Sequence, residues 1–187
     1  MFGLTLVDHL RLTFGHIIYT HRAHTRLALR HSRWSLWTQA AEAVFMLAAA
    51  LSSIALVSTG QAAYGFITAA TACAAVCTLL VRLVFDFDRR AGAHRTSGAQ
   101  LWRLREEYRA LLADLKDGSI TLDRARERRD AVMNALHAVY ENAPPADRNT
   151  FEAARRALPT SHEGALTDEE VDRFLPPSLQ KSGKSAA

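Results

Sequence analysis

The chain has 187 residues, 49% of them hydrophobic, with a formal net charge of +4 and a sequence pI near 9.4, which by length alone fits one soluble domain. Its charge is unevenly spread, because residues 43–81 contain no Asp, Glu, Lys or Arg. The only two cysteines fall inside that run, which excludes a disulfide-built secreted scaffold, and apolar periodicity beyond it excludes wholesale disorder.

Residues 1–37 read as a basic helical segment. His9, His16, His21, His24 and His31 alternate with Arg11, Arg22, Arg26, Arg30 and Arg33, interrupted by Leu10, Phe14, Ile17, Ile18 and Leu27. A basic stretch with apolar interruptions suits a helix that lies on, or leads into, an anionic inner leaflet. His21 and His24 are one turn apart. With no Cys beside them and Asp8 the only nearby acid, they make a poor metal site, and no metal or other cofactor is expected. So long a charged segment before the apolar run also argues against a cleaved signal peptide.

A spanning helix takes about 20 residues, so the charge-free run has room for two crossings. Residues 38–85 are expected to form a transmembrane hairpin, with spans at about 38–57 and 63–85. Trp34 and Trp37 precede the first span, where amphipathic rings favour the headgroup layer, and Glu42 lies near the same boundary. Gly60 can adopt the positive φ of a sharp reversal between the spans. Arginines flank the hairpin on both sides and the turn carries none, so both termini are expected in the cytoplasm.

Two stripes mark the second span. Gly65, Ala69, Cys73 and Cys77 recur every four residues, a spacing of small side chains that lets membrane helices approach closely, and they are the candidate helix-packing residues. Thr68, Thr71, Thr78 and Arg82 share a second face. Their hydroxyls either bond to their own helix or line water, which makes these four the candidate pore lining.

Residues 96–158 read as a cytoplasmic helical region. Ser97 and Gln100 have capping-box spacing, Leu101, Leu104, Tyr108, Leu111 and Leu115 share one face, and Gly118 ends that helix. Thr121 caps the next helix, to about residue 142, and Pro144 and Pro145 open a shorter one containing Phe151, Ala154 and Leu158. This helical hairpin has a modest apolar face that is expected to pack across a multimer. Residues 159–187 form a tail, in which Thr167 and Glu170 make a capping box and disorder is expected from Pro176. The mixed charges from Arg124 to Asp130 suit a solvated face, and no basic patch with stacking aromatics argues for nucleic acid. Phosphate-cradling glycine loops, nucleophile elbows and metal-protease motifs are all missing from the sequence, so no enzymatic activity is expected.

The order and spacing of several pieces carry a family resemblance. They are YTHRAH from Tyr19, the two adjacent spans, LWRLREEY from Leu101, LLADLKDGSIT from Leu111, RRD from Arg128, VYENAP from Val139 and FEAAR from Phe151. Together they resemble the SLATT family of two-transmembrane proteins associated with bacterial nucleotide signalling and SLOG-type defence. The resemblance implies an all-α membrane protein in the bacterial inner membrane, one that oligomerises and breaches the bilayer when a separate sensor protein signals infection. It brings no catalytic residues. The residues alone also fit a membrane-anchored adaptor, whose hairpin tethers it and whose cytoplasmic helices bind a partner without a pore.

Overall fold

A computed structural model describes residues 5–145 and 167–181 of the chain. Every regular element among them is helical: α1 Leu6–Thr59, α2 Ala62–Phe85, α3 Phe87–Lys116, α4 Leu122–Asn142, α5 Asp168–Asp172 and a 3-10 turn, Pro177–Leu179. They divide into two compact units, a terminal one drawn from Met1–Leu27 and Ala93–Ala187, and a central one, Ala28–Gly92.

Residues that depart from helical backbone mark the breaks. Gly60 has φ +66° between α1 and α2, and Gly118 has φ +67° after α3. Asp86, at φ 41°, separates α2 from α3 by a single residue, and its N–H still donates to the Arg82 carbonyl. Aspartate tolerates the left-handed region better than most residues. Thr121 caps α4 by accepting from the Arg124 N–H, and Thr167 and Glu170 form the expected reciprocal box at α5.

The terminal unit is built on an apolar seam between α1 and α3. Leu10, Phe14, Ile17 and Ile18 pack with Leu101, Leu104, Tyr108, Leu111 and Leu112. Ala125 and Leu136 of α4 and Val171 and Leu175 of the tail close the same cluster. These α1 positions recur at three- and four-residue steps, which keeps them on one helical face. Of the two expectations for this segment, that it lies on a membrane surface or leads into it, the apolar face buried in this core leaves the second, and α1 runs on into the apolar stretch. The expectation that α3 and α4 cover their apolar face across a multimer is corrected likewise, since α1 of the same chain covers it. Leu115 packs at the edge of the cluster, partly buried.

The basic segment continues without a break into the apolar run, since α1 passes through residues 37 and 38. Two further expectations change. The helix expected to start at Ser97 begins at Phe87, and the Ser97 hydroxyl donates to the Ala93 carbonyl instead of capping anything. The tail is ordered past Pro176. Arg11 donates to the Leu179 carbonyl at 2.8 Å and to Asp172 at 2.5 Å, while Lys181 bonds Asp8 at 2.8 Å and Asp168 at 3.0 Å. The short helix expected at Phe151, Ala154 and Leu158 lies outside the described residues.

A buried histidine pair joins α1 to α3 in this unit. His24 and His94 face each other with Nδ1 atoms 3.0 Å apart, so one ring donates and the other accepts. His21 Nδ1 donates to the Gly98 carbonyl at 2.9 Å. Burial, and after it the neighbouring His21, holds His24 below the ordinary histidine range.

Candidate functional site

The central unit is a pair of antiparallel helices, the second half of α1 and all of α2. Partners on α1 move backward as those on α2 move forward. A Cβ built on Gly65 would meet Leu56 at 3.8 Å, the Ser52 and Thr68 hydroxyls lie 2.8 Å apart, and Arg82 bonds Glu42 at 2.8 Å. Further along, Asp88 accepts from the Ser35 hydroxyl at 2.6 Å and from the Gln39 amide at 3.4 Å.

Thr68, Thr71, Thr78 and Arg82 all lie half-buried on the α2 side of this seam. The Thr71 hydroxyl reaches the Ile67 carbonyl at 2.7 Å, and that of Thr78 reaches Ala75 at 2.8 Å. Thr68 is within 2.8 Å of the Tyr64 carbonyl, and Ser52 is within 2.8 Å of Ala48. Of the Ser52 and Thr68 hydroxyls, one donates across the seam and the other donates back to its own helix.

Of the small-residue stripe, only Gly65 touches the seam. Ala69, Cys73 and Cys77 are exposed. The reason is geometric. At 3.6 residues per turn a strict four-residue repeat drifts by about 40° per step, so the stripe winds off the contact face. The threonines mix steps of three and seven, which average close to the 3.5-residue period of an interhelical seam. That mixed spacing was the sequence signal for the contact face.

Outside the seam both helices turn bulky apolar side chains outward. Val57 is 86% exposed and Phe66 78%, and Val44, Leu47, Ile54, Leu83 and Val84 are exposed as well. In water such a belt would be a large unfavourable patch. Among the described residues, α1 and the run from Ala62 to Lys116 are both long and apolar enough to cross a membrane. No group of three or more metal-ligating side chains occurs among the described residues.

An outward-facing apolar belt on two adjacent helices, with no charge over residues 43–81, defines a membrane protein. Residues 6–170 match the SMODS and SLOG-associating 2TM effector domain family 4, and the chain belongs to that family. Comparison with curated proteins and with solved structures gives no match.

Proposed function

We propose that this protein is a membrane effector that oligomerises and permeabilises the bacterial inner membrane when a separate sensor protein activates it. The observation that carries this reading is the central helix pair, apolar on its outside and polar along its seam. In the bilayer the pair is a transmembrane hairpin with both termini cytoplasmic, because arginines flank it on both sides and its turn at Gly60 has none. Two helices cannot enclose water, so conduction needs several copies. In the resting chain the threonine face is closed against α1. In the open assembly Thr68, Thr71 and Thr78 turn to a shared axis, with Arg82 at its cytoplasmic mouth, and Ala69, Cys73 and Cys77 pack copy against copy. The protein acts by opening a path and performs no chemistry.

Membrane potential in cells expressing the protein with its activator tests this. Thr71→Val with Thr78→Val nearly preserves shape while replacing hydroxyls by methyls, which leaves a dry constriction. The double variant is expected to insert and assemble but to lose depolarisation. If it depolarises cells as fast as the parent, this face does not line the path. Variants fully active in signalling with no depolarisation by any form of the protein would instead indicate an adaptor. That adaptor would not dock through Tyr108 and Leu111, because both are buried in the terminal unit.

A further inference from the structure

At the end of the central unit away from Gly60, α1 and the start of α3 bring cations and aromatic rings together. The Phe87 ring lies 6.2 Å from His31 and 6.5 Å from Trp34, stacked with both. Arg30 and Arg90, one from each helix, are both close enough to His31 to act on its charge, and after burial they hold its pKa below the ordinary histidine value. Arg30, Arg33, Arg89 and Arg90 are exposed, and none forms a salt bridge among the described residues. The acids beside them are occupied with uncharged groups. Asp86 accepts from the Arg89 backbone N–H, and Asp88 accepts from Ser35 and Gln39.

We propose that Arg30 and Arg90, on helices held together by the stacking of Phe87 on His31 and Trp34, form a binding site for the phosphate of an anionic phospholipid. Guanidinium groups match phosphate oxygens with paired donors, and two from different helices can share one headgroup. Exposed Trp34 and Trp37 lie just before the span expected at residues 38–57, so the site lies at the level of the headgroups, which rests on the transmembrane reading above. A lipid held there ties α1 to α3 at the cytoplasmic surface. Acidic protein segments carry carboxylates but no acyl chains, and nothing about the adjoining apolar belt suits them.

The test uses the full chain reconstituted in nanodiscs of phosphatidylcholine containing a minority of phosphatidylglycerol, released and weighed with its retained lipids by native mass spectrometry. The parent is expected to retain phosphatidylglycerol in excess of its share. Each arginine near an anionic surface contributes roughly fivefold, so Arg30→Gln with Arg90→Gln should lower that preference by about 25-fold. Arg30→Lys with Arg90→Lys keeps the charge and should retain most of it. Arg103→Gln with Arg126→Gln, remote exposed positions, should leave it intact. Soluble glycerophosphate should not displace the lipid. Equal retention of both lipids by the inserted parent, an undiminished preference in the double Gln variant, or displacement by glycerophosphate or by a poly-glutamate peptide overturns the proposal. Failure to enter discs of either composition refutes the transmembrane reading, and this site with it.

Discussion

Arg11 is the point at which the tail is fastened to the terminal unit, and removing it should release the tail. Its side chain is 3% exposed and meets the Asp172 carboxylate, 6% exposed, at 2.5 Å. It also donates to the Leu179 carbonyl at 2.8 Å and reaches Asp168 at 3.5 Å. Arg11→Met keeps the length and apolar stem of the side chain but removes the guanidinium that balances the buried Asp172 carboxylate, which also accepts from the Lys181 N–H. Breaking a buried pair by removing one partner costs about 3–5 kcal/mol. Burial of Val171 and Leu175, which also holds this segment, contributes a similar amount, roughly 1.5–3 kcal/mol for each side chain. Opening of residues 168–181 should therefore become more frequent by two to three and a half powers of ten, at about 1.4 kcal/mol for each tenfold. Hydrogen exchange at the Leu179 and Gln180 amides, which donate to the Pro176 and Pro177 carbonyls, reads this directly, while the Leu104–Leu112 amides of α3 should keep their protection. Arg11→Met with Asp172→Leu removes both charges and should recover most of the loss at Leu179 and Gln180, because the carboxylate that the guanidinium balanced is gone as well. Exchange at residues 168–181 within threefold of the parent in the single variant, or no recovery in the double, would refute the argument.

Two further outcomes follow from burial in the same unit. His24 has a folded pKa below its ordinary 6.5, so the unfolded chain binds more protons as pH falls through that value, and stability is full above it and declines below. His31 shifts the same way, so His24→Gln should reduce the decline in thermal stability between pH 7 and 5 without abolishing it; identical slopes in parent and variant would rule out His24 as a contributor. Tyr108 is fully buried, its hydroxyl has no hydrogen-bond partner among the described residues, and burial raises its pKa to about 12. Tyr108→Phe removes a desolvated polar group and should leave the stability measured by denaturant unfolding unchanged or raise it by up to about 1 kcal/mol, whereas a clear loss would mean that the hydroxyl is bonded.

Local signals were read correctly where one residue decides the backbone. Thr121 and Thr167 cap helices because a side-chain oxygen reaches an N–H two or three residues on, and Gly118 stops α3 because it takes a positive φ. Face assignments failed where the seam is made of residues that do not read as apolar. Along α3 the buried positions upstream of Leu101 are Ala91, His94, Ser97 and Gly98, so the periodicity points to a start about ten residues late. Along the first part of α1, Leu10, Phe14, Ile17 and Ile18 are spaced as a core face, but the surrounding arginines and histidines made a membrane surface seem their natural cover. Periodicity tells which residues share a face and is silent on what covers it. The tail illustrates the same limit, since its order depends on Arg11, more than 150 positions earlier in the chain.

The bonding along the central seam bears on how such a pair would open. Thr71 and Thr78 satisfy their hydroxyls on carbonyls of α2 itself, so these bonds travel with the helix when it rotates. Turning this face away from α1 therefore exposes no unpaired hydroxyl to lipid, which would otherwise cost kilocalories for each group. Only the Ser52–Thr68 contact and the Glu42–Arg82 ion pair tie the two helices together through polar atoms within the apolar stretch and at its edge. The first can be replaced by bonds within each helix, from Ser52 to the Ala48 carbonyl and from Thr68 to the Tyr64 carbonyl, at 2.8 Å in both cases. The second lies at the edge of the charge-free run and is partly exposed, where water and phosphates can take over either charge. The two helices are thus joined mainly by packing, and in the assembly proposed above packing against a second copy would replace packing against α1 at little polar cost. A seam of self-bonded threonines is what a membrane helix needs if it is to exchange one neighbour for another.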